Sequence, residues 1–154
     1  MPRRQRKYVL DTNLYIRATR SAAARVELQL FHTAFAPFEY LSAVVVKELL
    51  AGARGADAAR QLQQLIFDPF ERRGRLVTPS YAAWKQAGDL LSSLVATEGI
   101  ELRRTNRGFE NDVLLAMSCR EAGVTLVTEN RRDFERIARL VPFDFVDPWP
   151  SPSS

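Results

Sequence analysis

The amino-acid sequence predicts an α/β fold in three layers, with helices on both faces of a mostly parallel central sheet. Short apolar segments typical of buried strands alternate along the chain with longer segments of helical periodicity, and this alternation favours a parallel sheet. The composition, with 46% hydrophobic and 26% charged residues, is that of a globular protein. We expect the 154 residues to form one domain over 1–147, followed by a Pro/Ser-rich tail, 148–154, without a core of its own.

The individual elements follow from apolar spacing, which repeats every two residues in a half-buried strand and every three to four in a helix. In chain order we predict a strand over 7–10, helices over about 13–16, 22–31, 43–50 and 56–67, a strand over 75–78, a helix over 81–97, a polar arginine-rich loop over 99–108, a helix over 112–122, a strand over 125–127, a helix over 131–140 and an edge strand over 143–146.

The segment 43–50 is ambiguous because it contains three consecutive valines, which are also compatible with a strand. Val45 and Leu49 are spaced as on one face of a helix. Ser42 stands directly before the segment, where its hydroxyl can accept a hydrogen bond from a free helical amide. We therefore predict a helix here.

Other helix boundaries are predicted from prolines and from capping residues. Pro37 interrupts the early helical pattern, and the pair Asp68-Pro69 is expected to stop the helix over 56–67. Asn111 and Asn130 stand directly before the last two predicted helices. Both are good N-cap residues.

An acidic residue, Asp11, comes directly after the first predicted strand. A side chain just past the carboxyl end of a parallel strand points into the crevice where open α/β sheets bind ligands. Glu48, Asp112 and Asp133 can converge on this point, and grouped carboxylates repel one another unless a cation lies between them. Because Mg²⁺ and Mn²⁺ prefer oxygen ligands, the sequence predicts a metal-dependent nuclease.

Each acid also has a purely structural interpretation. Asp112 at the start of its predicted helix would favour the helix dipole. Asp133, three residues after Asn130, has the position of a capping-box acid, and Glu48 can be an ordinary exposed helix residue. Asp11 is the hardest to explain in this way, because an acid directly after a buried strand needs a partner. The structural interpretations are independent of one another, whereas a metal site explains all four acids.

The charge balance is basic, with 22 Lys and Arg against 18 Asp and Glu, which gives a net charge of +4 and favours polyanionic partners. Two groups of arginines lie within a few residues of Asp112 and Asp133 in the sequence. A cluster of this kind can also be ordinary solvated surface. Because guanidinium groups suit phosphate geometry, we expect these arginines to bind the phosphates of a nucleic-acid substrate: Arg103, Arg104, Arg107, Arg131 and Arg132.

The single cysteine, Cys119, allows no internal disulfide and lies in an apolar helical stretch. We expect a buried, inert thiol, as suits a reducing cytoplasm. No apolar run approaches the roughly 20 residues that a membrane span needs. The apolar stretch after the basic N-terminus is too short for a signal peptide, so a soluble cytoplasmic protein is expected, without membrane contact.

Four segments of the chain resemble the PIN domain, and among PIN proteins they are most similar to the VapC toxins of bacterial toxin–antitoxin pairs. The segments are 8–13 (YVLDTN), 42–49 (SAVVVKEL), 111–116 (NDVLLA) and 126–134 (LVTENRRDF). They occur in order over nearly the whole chain. The resemblance implies Mg²⁺- or Mn²⁺-dependent cleavage of RNA, inhibition by a small antitoxin protein, and a homodimer or a higher toxin–antitoxin assembly.

The resemblance also implies roles for individual acids. Asp11, Glu48 and Asp112 match the three acidic metal ligands of the family. Family members differ in the fourth position, which is Asn130 in one alignment and the acid before Phe, here Asp133, in the other. A second metal site is therefore left open by the sequence.

Supporting roles are implied for four polar residues that flank the acids. Asn13 matches a residue that hydrogen-bonds and orients the acidic cluster, and Thr128 matches a hydroxyl residue that supports it. Thr12 and Asn130 are placed with them, as partners of the metal ligands.

The expected chemistry is in-line attack on phosphorus by a water that a bound metal activates. Asp11 and Asp112 are expected as direct metal ligands, Glu48 as a direct or water-mediated partner, and Asp133 as an assisting group. His32 is the only histidine and is far in sequence from the acidic motifs, so a histidine general base is not expected. One histidine and one cysteine also cannot form a usual zinc site.

Two alternative functions remain open from the sequence: a non-catalytic RNA-binding or scaffold domain, and a housekeeping RNA-processing nuclease. A phosphatase of the haloacid dehalogenase type is disfavoured because Asn13 stands where that class has a second aspartate. A P-loop nucleotide-binding protein is excluded because the chain has no glycine-rich loop ending in Lys-Ser/Thr.

Overall fold

The computed structural model describes residues 5–98 and 107–152. Within them, five strands form one parallel sheet in the order β3-β2-β1-β4-β5. The strands are β1 (Tyr8–Leu10), β2 (Glu39–Ser42), β3 (Leu76–Val77), β4 (Thr125–Val127) and β5 (Phe145–Val146). The predicted α/β class is confirmed, and so is the edge position of the last strand.

The chain enters the sheet at its centre, adds β2 and β3 on one side and then β4 and β5 on the other. β1 and β4 lie side by side, with Tyr8 opposite Thr125 and Leu10 opposite Val127. The strand order therefore reverses between β1 and β4. In open α/β sheets, the carboxyl ends of strands at such a reversal form the usual ligand-binding crevice.

Eight α-helices connect the strands of the described residues. They are α1 (Thr12–Arg20), α2 (Ala22–Phe35), α3 (Ala43–Gly52), α4 (Ala56–Leu62), α5 (Asp68–Arg73), α6 (Tyr81–Glu98), α7 (Arg107–Ala122) and α8 (Arg131–Leu140). α1 packs against α2, and α6 packs against α7. Over residues 5–98 and 107–152, none of these helices combines the length and the apolar character that a membrane span requires.

The part of the core that positions the site lies where α7 packs against α8 and against β4. Leu115 and Met117 of α7, and Phe134 and Ile137 of α8, are fully buried, as is Leu126 of β4. Burial of each such side chain contributes about 1.5–3 kcal/mol. This packing fixes the start of α8 relative to α7, and both elements carry acidic site residues.

The valine-rich segment is a helix, and Ser42 caps it as predicted. The hydroxyl of Ser42 accepts a hydrogen bond from the amide of Val44 at 3.1 Å. The preceding strand, β2, was not predicted. Its four residues follow Pro37 closely and begin with the acidic Glu39.

The prediction that Asp68-Pro69 stops the preceding helix is wrong. A π-helical turn, Gln63–Phe67, joins α4 to α5, and the amide of Asp68 donates to the carbonyl of Gln63. Pro69 lies in the first turn of α5, where the N–H that proline lacks is not needed by the helix. The helical path therefore continues to Arg73.

The predicted start of the helix at Asp112 is also wrong, because α7 begins at Arg107. Phe109 is buried in the core, and this contact accounts for the additional turn. Asn111 consequently lies inside α7 and is not its cap. Most of the predicted arginine-rich loop, including Arg103 and Arg104, lies outside the described residues.

The C-terminal tail contacts the domain through Trp149. Its indole packs against Phe31 of α2, with ring centroids 5.3 Å apart, and donates a hydrogen bond to Glu27 at 3.2 Å. The division of the chain at 147 stays a prediction. Cys119 is a buried free thiol as expected, and burial raises its pKa.

Candidate active site

The two innermost site residues directly follow the two central strands. Asp11 comes after β1 and Thr128 after β4, so both lie at the carboxyl edge of the sheet where the strand order reverses. Asp11 is 5% exposed and Thr128 is fully buried. A buried carboxylate needs hydrogen-bond donors or a cation in compensation.

Asp11 receives two hydrogen bonds from its neighbours. The amide of Thr12 donates to Oδ1 at 2.8 Å, and the hydroxyl of Thr128 donates to Oδ2 at 2.7 Å. The Thr128 hydroxyl in turn accepts from the amide of Asn130 at 3.0 Å. Thr128 thus holds Asp11 from the adjacent strand.

Glu48 reaches the same group of residues from α3. Its Oε1 accepts a hydrogen bond from the hydroxyl of Thr12 at 2.9 Å, so Thr12 contacts Asp11 with its amide and Glu48 with its side chain. Glu48 is only partly exposed. The interpretation of Glu48 as an ordinary surface residue does not account for this contact across 36 residues of sequence.

Asp112 and Asp133 meet at the side chain of Asn130. The Asn130 amide nitrogen donates to Asp112 at 3.2 Å and to Asp133 at 3.1 Å. Asn130 occupies the N-cap position of α8 but makes no side-chain cap, and its backbone amide bonds to Thr128. The capping-box interpretation of Asp133 is therefore wrong, because Asp133 bonds the side chain and not the backbone of Asn130.

The helix-dipole interpretation of Asp112 also fails, since α7 begins five residues earlier and Glu110 is the acid of its first turn. Asp112 is 9% exposed. Its carboxylate is held inside the crevice and not at a helix terminus.

The four acids affect one another electrostatically. The pKa of Asp112 is raised to about 8, mainly by burial and then by the charges of Asp11, Glu48 and Asp133, in that order. Burial also raises the pKa of Asp11, although the hydrogen bonds from Thr128 and Thr12 oppose it. The pKa of Glu48 is raised by burial and, more weakly, by Asp11. The crevice therefore carries negative charge that the protein itself compensates only in part.

The donor set fits a hard divalent cation. Within residues 5–98 and 107–152, no three acidic, histidine or cysteine side chains already stand close enough to enclose a metal ion. Mg²⁺ does not require such a cage, because it keeps several waters and is bound through one or two carboxylates. Neither an imidazole nor a thiol takes part in the hydrogen bonds among the four acids, which disfavours zinc.

Asn13 does not contact the acids. It is exposed on α1, and its side chain makes no hydrogen bond with another described residue. Successive residues of a helix point about 100° apart, so the contact that was expected of Asn13 is made by Thr12, the first residue of α1.

Two rim residues were not predicted as part of the site. Lys47 donates a hydrogen bond to the side chain of Asn111 at 3.0 Å, and both residues lower the pKa of Glu48. Each stands one position before a predicted acid, Glu48 or Asp112. That adjacency was the available signal in the sequence.

The arginines near the acids differ in their partners. Arg131 pairs with Asp147 at 2.8 Å and with Glu135 at 3.1 Å, whereas Arg132 is exposed and makes no ion pair with a described residue. Arg107 is the first residue of α7. Of the predicted RNA-binding set, Arg132 is therefore the described guanidinium that is available to a ligand without the loss of an ion pair.

The sequence model of the PIN domain family matches residues 8–140. The chain belongs to the PIN domain family. Proteins with PIN domains are generally nucleases, and all four acids of this PIN domain lie within the matched segment. At the level of sequence, no curated protein matches the chain.

Solved structures share the fold of this PIN domain. The DNA-bound VapBC of Salmonella typhimurium has 21% identity and a TM-score of 0.68, with 93% of this chain and 98% of that chain covered. VapBC2 of Rickettsia felis, bound to a promoter DNA fragment, has 24% identity and a TM-score of 0.62, with the same coverage. FitAcB of Neisseria gonorrhoeae has 20% identity and a TM-score of 0.64, covering 92% and 98%. At these identities, the similarity concerns the fold.

Proposed function

We propose that this PIN domain is a Mg²⁺- or Mn²⁺-dependent endoribonuclease and the toxin of a toxin–antitoxin pair. One observation carries the proposal: three polar residues, through their side chains and two backbone amides, link all four acids into a single hydrogen-bonded network at the carboxyl ends of the central strands. The linking residues are Thr12, Thr128 and Asn130. A structural role for any one acid does not account for this convergence.

The metal would be held by Asp11 and Asp112, with Glu48 bound directly or through water and Asp133 assisting. When bound, a divalent ion supplies a water of lowered pKa and neutralises charge that develops on the phosphate. The acids are the right ligands for it, because Mg²⁺ takes oxygen donors.

The protein's own residues position these ligands. Thr128 and Thr12 fix the two oxygens of Asp11, and Asn130 holds Asp112 beside Asp133. Such partners of metal ligands typically change metal affinity or activity by about 10–100-fold when they are removed. Arg132 is available to bind a phosphate beside the crevice.

A histidine base is not part of this mechanism. His32 lies on α2, and its Nδ1 is 2.5 Å from Glu39. Glu39 is the first residue of β2, so this pair stands at the opposite edge of the sheet from Asp11. The carboxylates and water would therefore carry the protons in this mechanism.

The toxin role is proposed because solved structures with a similar fold come from VapBC complexes. The structures from Salmonella typhimurium and Rickettsia felis are VapBC assemblies bound to DNA. By analogy, a small antitoxin protein would bind this PIN domain, which would itself form a homodimer or part of a larger assembly. Fold analogy alone supports this step.

An RNA cleavage assay tests the nuclease proposal. The purified protein should cleave RNA in the presence of Mg²⁺ or Mn²⁺, and cleavage should stop when EDTA is added. Asp11→Asn should lower the rate by about two orders of magnitude or more, since metal ions supply several kcal/mol to such reactions. Asp89→Asn, an exposed position on α6, should cleave at the wild-type rate.

Two results would contradict the proposal. Cleavage that persists in Asp11→Asn would mean that other residues hold the metal. RNA binding without cleavage at any metal concentration would favour a scaffold domain. The toxin role needs a separate observation: expression should arrest growth, and co-expression of an antitoxin encoded next to this gene should restore it.

A further inference from the structure

A second pocket opens at the amino ends of the strands, on the opposite side of the sheet from the four acids. Its volume is about 190 Å³, and its polar lining consists of His32, Glu39, Arg73 and Arg75. Glu39 is the first residue of β2, and Arg75 immediately precedes β3. Because all strands are parallel, these residues lie at the amino edge, whereas Asp11 and Thr128 lie at the carboxyl edge.

The pocket is built around a buried carboxylate. The side chain of Glu39 is 3% exposed and that of His32 is 35% exposed. Oε2 of Glu39 lies 2.5 Å from Nδ1 of His32, while Oε1 has no hydrogen-bond partner. Glu39 thereby fixes the orientation of the imidazole at the pocket.

The second ring nitrogen of His32, Nε2, makes no hydrogen bond with another described residue. Nε2 is therefore open to a ligand in the pocket while Nδ1 faces Glu39. A ring held in this way does not lose rotational freedom when a ligand binds, which favours affinity.

Two guanidinium groups complete the polar lining. Arg75 donates to the carbonyl of Ala36 at 2.6 Å. This hydrogen bond anchors the side chain, and the other N–H groups of the guanidinium can donate to a ligand. Arg73 is exposed and makes no ion pair with a described residue. Glu39 is the one acid of the lining, and two arginines outweigh it, so the pocket is net positive.

We propose that this pocket binds the phosphate group of a phosphate ester, supplied by a free nucleotide or by an RNA strand. Guanidinium forks match phosphate oxygens, and Phe70, Pro69 and Ala36 offer an apolar wall to the carbon atoms beside the phosphate. A volume of about 190 Å³ gives a phosphate group room to enter. This site is independent of the nuclease activity proposed above.

His32 gives a direct spectroscopic readout, because it is the only histidine of the chain. The imidazole ¹H–¹⁵N resonances of the full-length protein would be followed in EDTA, which prevents metal-dependent cleavage. Three probes would be titrated at constant ionic strength: inorganic phosphate, adenosine monophosphate and a 5′-phosphorylated single-stranded RNA.

The variant Arg73→Gln should weaken binding by at least about tenfold, as expected for a charged hydrogen bond. Arg72→Gln is the matched control. Arg72 is the neighbouring exposed arginine and is not part of the pocket lining, so its variant should bind as the wild type does. Thermal unfolding of both variants checks that the fold is retained.

A saturable shift of the His32 resonances with inorganic phosphate and adenosine monophosphate assigns the site to free phosphate esters. A shift with the RNA alone assigns it to an RNA strand. The proposal is overturned if none of the three probes shifts the resonances, or if Arg72→Gln weakens binding as much as Arg73→Gln does. The latter result would indicate unspecific attraction to basic surface.

Discussion

Replacement of Asp112 by asparagine should stabilise the metal-free protein. The pKa of Asp112 rises from 3.8 to about 8 in the folded protein, so folding opposes ionisation of this carboxyl group. The contribution of this carboxyl group to the stability of the folded protein is fully present below about pH 4 and is lost as the pH rises towards about 8. Asparagine removes the charge but keeps an oxygen that can accept the hydrogen bond from Asn130.

The magnitude follows from the shift of about four pKa units. Each unit corresponds to about 1.4 kcal/mol, and at pH 7 most of the cost of keeping the group in the crevice is present. Part of the pKa shift is repulsion that Asp11 and Glu48 share with Asp112. We therefore expect Asp112→Asn to increase the free energy of unfolding by about 2–4 kcal/mol at pH 7. For a domain of this size, that gain raises the melting temperature by roughly 5–15 °C.

The assay is urea and thermal unfolding in EDTA between pH 5 and pH 8. The wild type should lose stability across this range, whereas Asp112→Asn should show a weaker dependence on pH. Asp89→Asn, an exposed aspartate on α6, should follow the wild type. The reasoning is refuted if Asp112→Asn melts below the wild type, or if it shows the same pH dependence.

Three further variants test other parts of the site. Thr128→Val should cost about 1–3 kcal/mol of stability by chemical denaturation, because it leaves a buried carboxylate oxygen without its donor, while Thr128→Ser should retain wild-type stability; equal losses in both would show that the hydroxyl is not responsible. Asn130→Asp should destabilise the metal-free protein, since a fifth carboxylate replaces the amide that donates to Asp112 and Asp133, and unchanged urea unfolding would contradict this. Arg132→Gln should reduce RNA affinity and its salt dependence more than Arg131→Gln does, because Arg131 is already paired; filter binding at several salt concentrations decides between them.

Elements with strong local signals were predicted from the sequence. The strand before Asp11, the strand before Thr128 and the helix after Ser42 each combine an apolar run with a turn or capping residue. The predicted cap of Ser42 forms as expected because a serine hydroxyl satisfies a neighbouring amide without help from the rest of the fold.

β2 could not be predicted because its stability is not local. The strand begins with Glu39, which is buried and paired with His32, and charged residues seldom mark buried strands. Pairing with β1 and β3 on both sides holds the segment in the sheet. That information lies in distant parts of the chain.

Two helix boundaries were predicted wrongly for a similar reason. Pro69 was expected to end a helix, but a π turn places it at the first turn of the next helix, where it is tolerated. Asn111 resembled a cap, but burial of Phe109 extends the helix beyond it. In both cases, tertiary packing or an irregular turn overrides the local signal.

The sequence indicated which acids lie together at the candidate site, but it did not indicate which residues donate hydrogen bonds to them. The position of Asp11 after a buried strand indicated the crevice directly. The donors to the acids depend on side-chain directions that no spacing rule fixes: Thr12 takes the contact expected of Asn13, and Asn130 bonds two acids in place of capping its helix.

Divalent metal binding is the most direct test of the central claim that these acids gather to hold one cation. Free Mn²⁺ would be followed by electron paramagnetic resonance during titration of the wild type, Asp11→Asn and Asp89→Asn. We predict that the wild type and Asp89→Asn bind Mn²⁺ alike and that Asp11→Asn binds at least about tenfold more weakly. Equal binding by all three proteins would contradict the claim.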